Sequence, residues 1–232
     1  TALALGAVGA SPRGALWLLL PGCLYFGFNR YDAMPAALVS LGVWLHLSGR
    51  RRGAALALAA GAMTKWYPIL LLPLCVRHGV HAEREAARGR AEEPGWGSAI
   101  WRAAVWPAFT AGGFCLAVLA VTWVWDGGGL DAVLAPYRHH AARGANPSSL
   151  VMALTHPERW GWFDVDQRPL VGRVCALLQF LPAALLACVP VRDTRCLRWG
   201  LLAVVVGFVA FSRVFSPQWI LWIVPLAVLV GP

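Results

Sequence analysis

The residues of this chain best suited to chemistry are the few charged ones that interrupt apolar sequence. Lys65 is the only lysine among 232 residues, against 19 arginines. It lies in TKWYP, followed by Trp66, Tyr67 and Pro68, with apolar runs on both sides. Two readings stay open. The amine snorkels to a membrane interface with the aromatics as a belt, or it faces a cavity and holds an anion such as a lipid phosphate. Asp32, in FNRYD, is the one acidic residue outside the long polar stretches and arginine-rich turns. A carboxylate at membrane depth is costly unless paired. It reads equally as a general base for a hydroxyl, an anchor for a binding arginine, or a structural group that pairs with Arg30 or caps a helix. Arg213, in FSRVFSPQW, repeats the pattern of a single cation at a break, and Gln218 adds a donor and an acceptor on the helix that Pro217 starts. The stretch PYRHHAARGANPSSL contributes Tyr137, Arg138, Arg143, Asn146, Ser148 and Ser149, for which a solvated amphipathic helix is the plainer reading. Its adjacent His139 and His140 point to different helix faces and make a poor metal pair. Walker loops, HExxH and GxSxG elbows are absent, and the six cysteines form no CxxC or Cys/His cluster.

These groups must be positioned by helices in lipid. Apolar residues make up 59% of the chain and charged residues 13%, with a mean hydropathy of +0.60. Soluble domains sit near ~45–50% apolar and ~25% charged. The net charge of +9 is spread through loops between apolar runs, which fits topology and lipid headgroups and does not suggest nucleic acid. The runs fall at about 1–10, 15–28, 33–47, 53–63, 68–76, 103–125, 169–191, 199–211 and 219–230. Lipid tolerates helices or closed barrels, and period-2 alternation is missing, so the expectation is an all-α, polytopic integral-membrane bundle with short broken or re-entrant helices. Both ends are expected to be truncated, with residues 1–232 forming a single transmembrane domain.

Placing SGRRR inside, as the positive-inside rule asks, makes 77–102 a cytoplasmic loop and 126–168 an extracytoplasmic one. Both flanks of 53–76 are then cytoplasmic, so that segment goes in and comes back, breaking near Lys65–Pro68. The alternative is one kinked span with SGRRR outside. In the hairpin topology FNRYD, TKWYP, 126–168 and SRVFSPQ converge on the outer half of the membrane. Lys65 and Arg213 are expected to approach one another there, beside Arg30 and Asp32, around a polar cavity.

The run RYDAMPAALVSLGVWLHLSGRRRGAALALAAGAMTKWYPILLLPL resembles the centre of glycosyltransferase family 87 of actinobacterial type. RVFSPQWILWIVPL is similar to that family's KVxSPQYLLWLLPL stretch, and ARGANPSSL to its RG-x-x-x-E-S segment. The resemblance runs over roughly residues 12–229. Departures are Arg213 for a lysine, Trp219 for a tyrosine and Pro147 for an acid, the last of which puts a proton-transfer role for that loop acid in doubt. The resemblance implies a GT-C-class membrane enzyme that moves a hexose, mannose, from a polyprenyl-phosphate donor to a lipid or glycan acceptor of the cell envelope. It implies an inverting, metal-independent reaction without cofactor, in the bacterial plasma membrane. It also implies a catalytic aspartate in the first outer loop, expected ahead of Thr1, which makes Asp32 a supporting catalytic residue. Arg30, Lys65, Tyr67, Arg143, Arg213 and Gln218 are then the candidate substrate and phosphate contacts. A transporter or lipid flippase also uses broken helices and midplane charges, and a degenerate, structural member of the family is a third reading.

Overall fold

The computed structural model describes residues 19, 21–29, 31–89, 96–125, 127 and 129–230. Among them the regular structure is helical and there is no β-strand. The helices are α1 (Pro21–Asn29), α2 (Ala33–Leu47), α3 (Arg51–Thr64), α4 (Leu72–Gly89), α5 (Trp96–Ile100), α6 (Trp106–Trp125), α7 (Leu130–Ala142), α8 (Leu150–Thr155), α9 (Arg168–Leu178), α10 (Leu181–Cys188), α11 (Thr194–Ala210) and α12 (Ile220–Val230). A π-helical turn, Trp101–Val105, joins α5 to α6.

The site is positioned by α2, α3 and α4. Gly49, at φ 77°, ends α2 in the left-handed conformation that glycine adopts without Cβ strain. The Arg50 N–H closes back on the Leu45 carbonyl at 2.8 Å, and α3 starts at once in the opposite direction. Fourteen residues later α3 stops. Pro68 has no N–H to offer the Thr64 carbonyl, so the α-helical ladder cannot run on. Lys65 becomes extended (φ −153°, ψ 136°), and Tyr67–Leu71 tighten into a 3₁₀ turn before α4 begins.

α4 then returns along α3. Arg51, at the start of α3, forms an ion pair with Glu83 of α4, and His46 Nε2 lies 3.0 Å from His78 Nδ1. The segment is therefore a hairpin, not one kinked span. Its returning arm is longer than expected. Residues 77–89, the first part of the expected cytoplasmic stretch, continue α4, because HAEREAAR is made of good helix formers with favourable spacing: His81–Glu85 at 4.0 Å and an Arg88–Glu85 pair. The expected outer loop 126–168 likewise contains α7 and α8. The run 169–191 is split into α9 and α10 just before Pro182, at the start of α10.

The core is built from Val39 and Val43 of α2, Leu58 of α3, Leu71 and Leu74 of the returning arm, and Leu197, Leu201, Val204, Val205, Leu226 and Leu229 of α11 and α12. α6 rests on α3 through small residues, Ala55 and Ala59 against Ala111, which let the two backbones come close. Its remaining surface is apolar and uncovered: Phe109 and Leu116 are each 68% exposed. Two stretches, Gly97–Trp125 and Val165–Cys188, are long and apolar enough to cross a membrane. Asp193 caps α11, and the Cys196 N–H it accepts at 2.7 Å holds its carboxyl below the usual range.

One contact is testable at once. A Cβ on Gly207 of α11 would sit 2.4 Å from Cγ of Pro182 on α10, a ring that cannot swing aside. Gly207→Ala should lower stability by about 1–3 kcal/mol through overpacking, read as a drop in the thermal midpoint of the detergent-solubilised protein. An unchanged midpoint would mean that α10 does not pack there.

Candidate active site

The turn between α1 and α2 and the break after α3 meet at one end of the molecule. α2 separates this end from the arginine-rich turn by fifteen residues, roughly 22 Å of helix. Asp32 occupies the N-cap position of α2 but does not cap it: its backbone is helical (φ −67°, ψ −17°) and its carboxylate makes no bond to the first turn. The side chain turns instead toward Lys65. Asp32 is 2% exposed, and Oδ1 lies 3.7 Å from Lys65 Nζ. That is ion-pair distance but too long for a hydrogen bond, and Oδ1 has no hydrogen-bond partner among the described residues.

Lys65 is about one-third exposed, so its ammonium stands between the buried carboxylate and open space. That space is a cavity of about 510 Å³ lined by Tyr31, Asp32, Met34, Thr64, Lys65 and Gln218. Residues separated by more than 180 positions thus share one pocket. Thr64 turns its hydroxyl back on the Gly61 carbonyl at 2.7 Å, which fixes the last turn before Lys65.

Beneath the pocket is an aromatic stack. Tyr67 lies on Trp222 with ring centres 4.3 Å apart, and Trp222 on Trp219 at 4.7 Å. Tyr67 is 1% exposed and is not among the residues that line the cavity. Its hydroxyl and the Trp222 indole N–H have no hydrogen-bond partner among the described residues. The stack seats the Lys65 break rigidly on α12.

The other expected site residues are placed as follows. Gln218 lines the cavity with Lys65 and Asp32. Arg213 does not line it: its Cδ lies 3.5 Å from where a Cβ on Gly172 would be, against α9. Its carbonyl accepts the Asn146 N–H at 3.0 Å, which ties the ARGANPSSL segment to the loop leading into Gln218. Arg143 is exposed where α7 ends. Arg30 lies outside the described residues. Tyr31, Met34 and Thr64 were not singled out from the sequence although they flank the two charged positions. Trp222 was missed too; its signal was the three-residue spacing from Trp219 on a helix started by Pro217. No group of three or more His, Cys, Asp or Glu that could hold a metal occurs among the described residues.

Chemically, an ammonium drawn to a pocket wall by a buried carboxylate presents the positive side of an ion pair to a ligand. Lysine suits phosphate as a compact point charge. No curated protein and no solved structure matches this chain. The family model of glycosyltransferase family 87 matches residues 2–217. With that match over nearly its whole length, the chain belongs to glycosyltransferase family 87.

Proposed function

We propose that this chain is part of a multi-pass bacterial plasma-membrane enzyme that moves a hexose, mannose, from a polyprenyl-phosphate donor to a glycolipid or glycan of the cell envelope. The reading is supported most by one observation: the Asp32–Lys65 pair at the wall of a cavity shared with Gln218.

In this proposal the acceptor oxygen attacks the anomeric carbon, a new glycosidic bond forms on the opposite face, and the bond from that carbon to the donor phosphate oxygen breaks. The configuration inverts. Negative charge grows on the departing phosphate, and the Lys65 ammonium, already drawn to the pocket wall, stabilises it more in the transition state than in the ground state. Gln218 donates to a phosphate or sugar oxygen. The proton of the acceptor hydroxyl goes to a carboxylate other than Asp32, whose side chain is 3% exposed and faced by Lys65. Asp32 is a positioning residue that aims the ammonium. Arg213 and Arg143, on the segments tied together at Asn146, supply further positive charge at the same end, and Tyr67 acts from below by holding the break. The reaction needs neither metal nor cofactor.

The experiment is a transfer assay with the full-length protein in membranes, using mannose-labelled polyprenyl phosphate and, separately, a nucleotide-linked mannose. Label should pass to lipid or glycan from the first donor only, and a divalent-metal chelator should leave the rate unchanged. Transfer from the nucleotide sugar instead would overturn the donor class.

A further inference from the structure

A second cavity lies at the opposite end of α2 and α3. It measures about 400 Å³ and is lined by Gly49, Arg50, Arg51, Arg52, Gly53, Glu83, Arg102 and Trp106. Four arginines and one glutamate thus line one cavity. Three come from the turn before α3 and its first residues, and Arg102 comes from the separate π-helical turn before α6. Glu83 is already occupied: it pairs with Arg51 and lies 3.9 Å from Arg102. The cavity therefore keeps a positive excess that no described side chain balances.

The placement is electrostatically unfavourable in an empty site. Arg51 and Arg52 stand in the first turn of α3, which holds no acidic residue, where the helix dipole is itself positive and cations are disfavoured. Arg52 lies over the Trp106 ring at 4.5 Å. A guanidinium held over an aromatic face keeps N–H groups with which to donate to a phosphate. Trp106 also begins α6, whose exposed apolar side starts beside the cavity with Phe109.

We infer that this cavity binds a phosphate-bearing anion, with Arg50, Arg52 and Arg102 as donors and Glu83 holding Arg51 aside. The adjoining face of α6 favours a phospholipid, its headgroup phosphate in the cavity and its acyl chains along Phe109 and Leu116; a free phosphate would use the same donors. The site is separate from the Asp32–Lys65 pocket and does not rest on the donor proposed for it.

The test uses full-length protein in a neutral detergent, followed by its thermal midpoint during titration with phosphatidylglycerol, phosphatidylcholine or inorganic phosphate, since a ligand that binds the folded state raises the midpoint with concentration. Phosphatidylglycerol should raise it and phosphatidylcholine should not. The Arg52→Gln/Arg102→Gln double variant should need at least ~10-fold more phosphatidylglycerol for the same shift, from two lost charge-assisted bonds. Arg88→Gln, which changes an exposed arginine elsewhere on α4, should respond like wild type. Inorganic phosphate matching phosphatidylglycerol at equal concentration identifies a soluble occupant of the same site; failure to match identifies the lipid. Equal responses from the double variant and wild type would overturn the inference. If the double variant proves unfolded before any anion is added, native mass spectrometry of wild type decides, and no preference for phosphatidylglycerol over phosphatidylcholine would overturn it.

Discussion

Lys65→Ala should reduce sugar transfer by roughly 10²–10³-fold, the loss seen when a single preorganised charge-stabilising donor is removed. The single variant is not a clean experiment, because it leaves Asp32 buried without its cation. Breaking a fully buried ion pair from one side costs about 3–5 kcal/mol, and less is expected here because Lys65 is about one-third exposed, whereas replacing both partners by neutral groups is often close to neutral. Lys65→Met/Asp32→Asn separates the two effects. The double variant should regain most of the thermal stability lost in Lys65→Ala and should still fail to transfer. Lys65→Arg keeps the charge, spreads it over a wider planar group, and should retain part of the rate. Stability and transfer recovering together in the double variant would show that the pair serves the fold and that phosphate is held elsewhere.

The break in the 53–76 segment was legible because its cause is local. Pro68 removes one N–H, and that alone decides where an α-helix beginning near Arg51 must stop. The direction of the second arm was legible from arginine counting, and the Arg51–Glu83 pair gives it a physical contact. The partner of Lys65 was not legible. Arg213 was the expected neighbour, with Asp32 on the same side, and the observed approach to Asp32 depends on the register of α2 against α3. That register is set by close contacts such as Gly42, where a Cβ would meet Leu58 at 2.9 Å. Charge repulsion between Lys65 and Arg213 was the reason to expect an anion between them; the observed Asp32 neighbour removes that reason and supplies a different one, a cation aimed by a fixed carboxylate. Residues 77–89 carry many charges yet form helix, because their spacing is that of a helix, and which side of a membrane they lie on is a separate matter. The burial of Tyr67 also escaped the sequence, since an aromatic beside a lone lysine reads as readily as a pocket wall as it does as the base of a stack on Trp222.

Asp32→Asn should lower kcat/KM for the donor by about 10–100-fold while leaving the acid limb of the pH–rate profile in place. The reason is geometric. A general base must touch the hydroxyl it deprotonates, yet Asp32 is 2% exposed and the Lys65 ammonium lies 3.7 Å from its Oδ1. Its negative charge acts on Lys65, not on the acceptor. Asparagine keeps the shape and loses the charge, so the ammonium is no longer drawn to one orientation, and part of its stabilisation of the leaving phosphate is spent on reordering. The loss should appear in the donor term and be largely independent of acceptor concentration. Asp32→Glu, which restores the charge on a longer arm, should recover part of it. A base would behave differently: removing a general base costs ~10²–10⁴ in rate and abolishes the ionisation seen on the acid side of the profile. Loss of that limb in Asp32→Asn would move Asp32 from positioning Lys65 to taking the acceptor's proton.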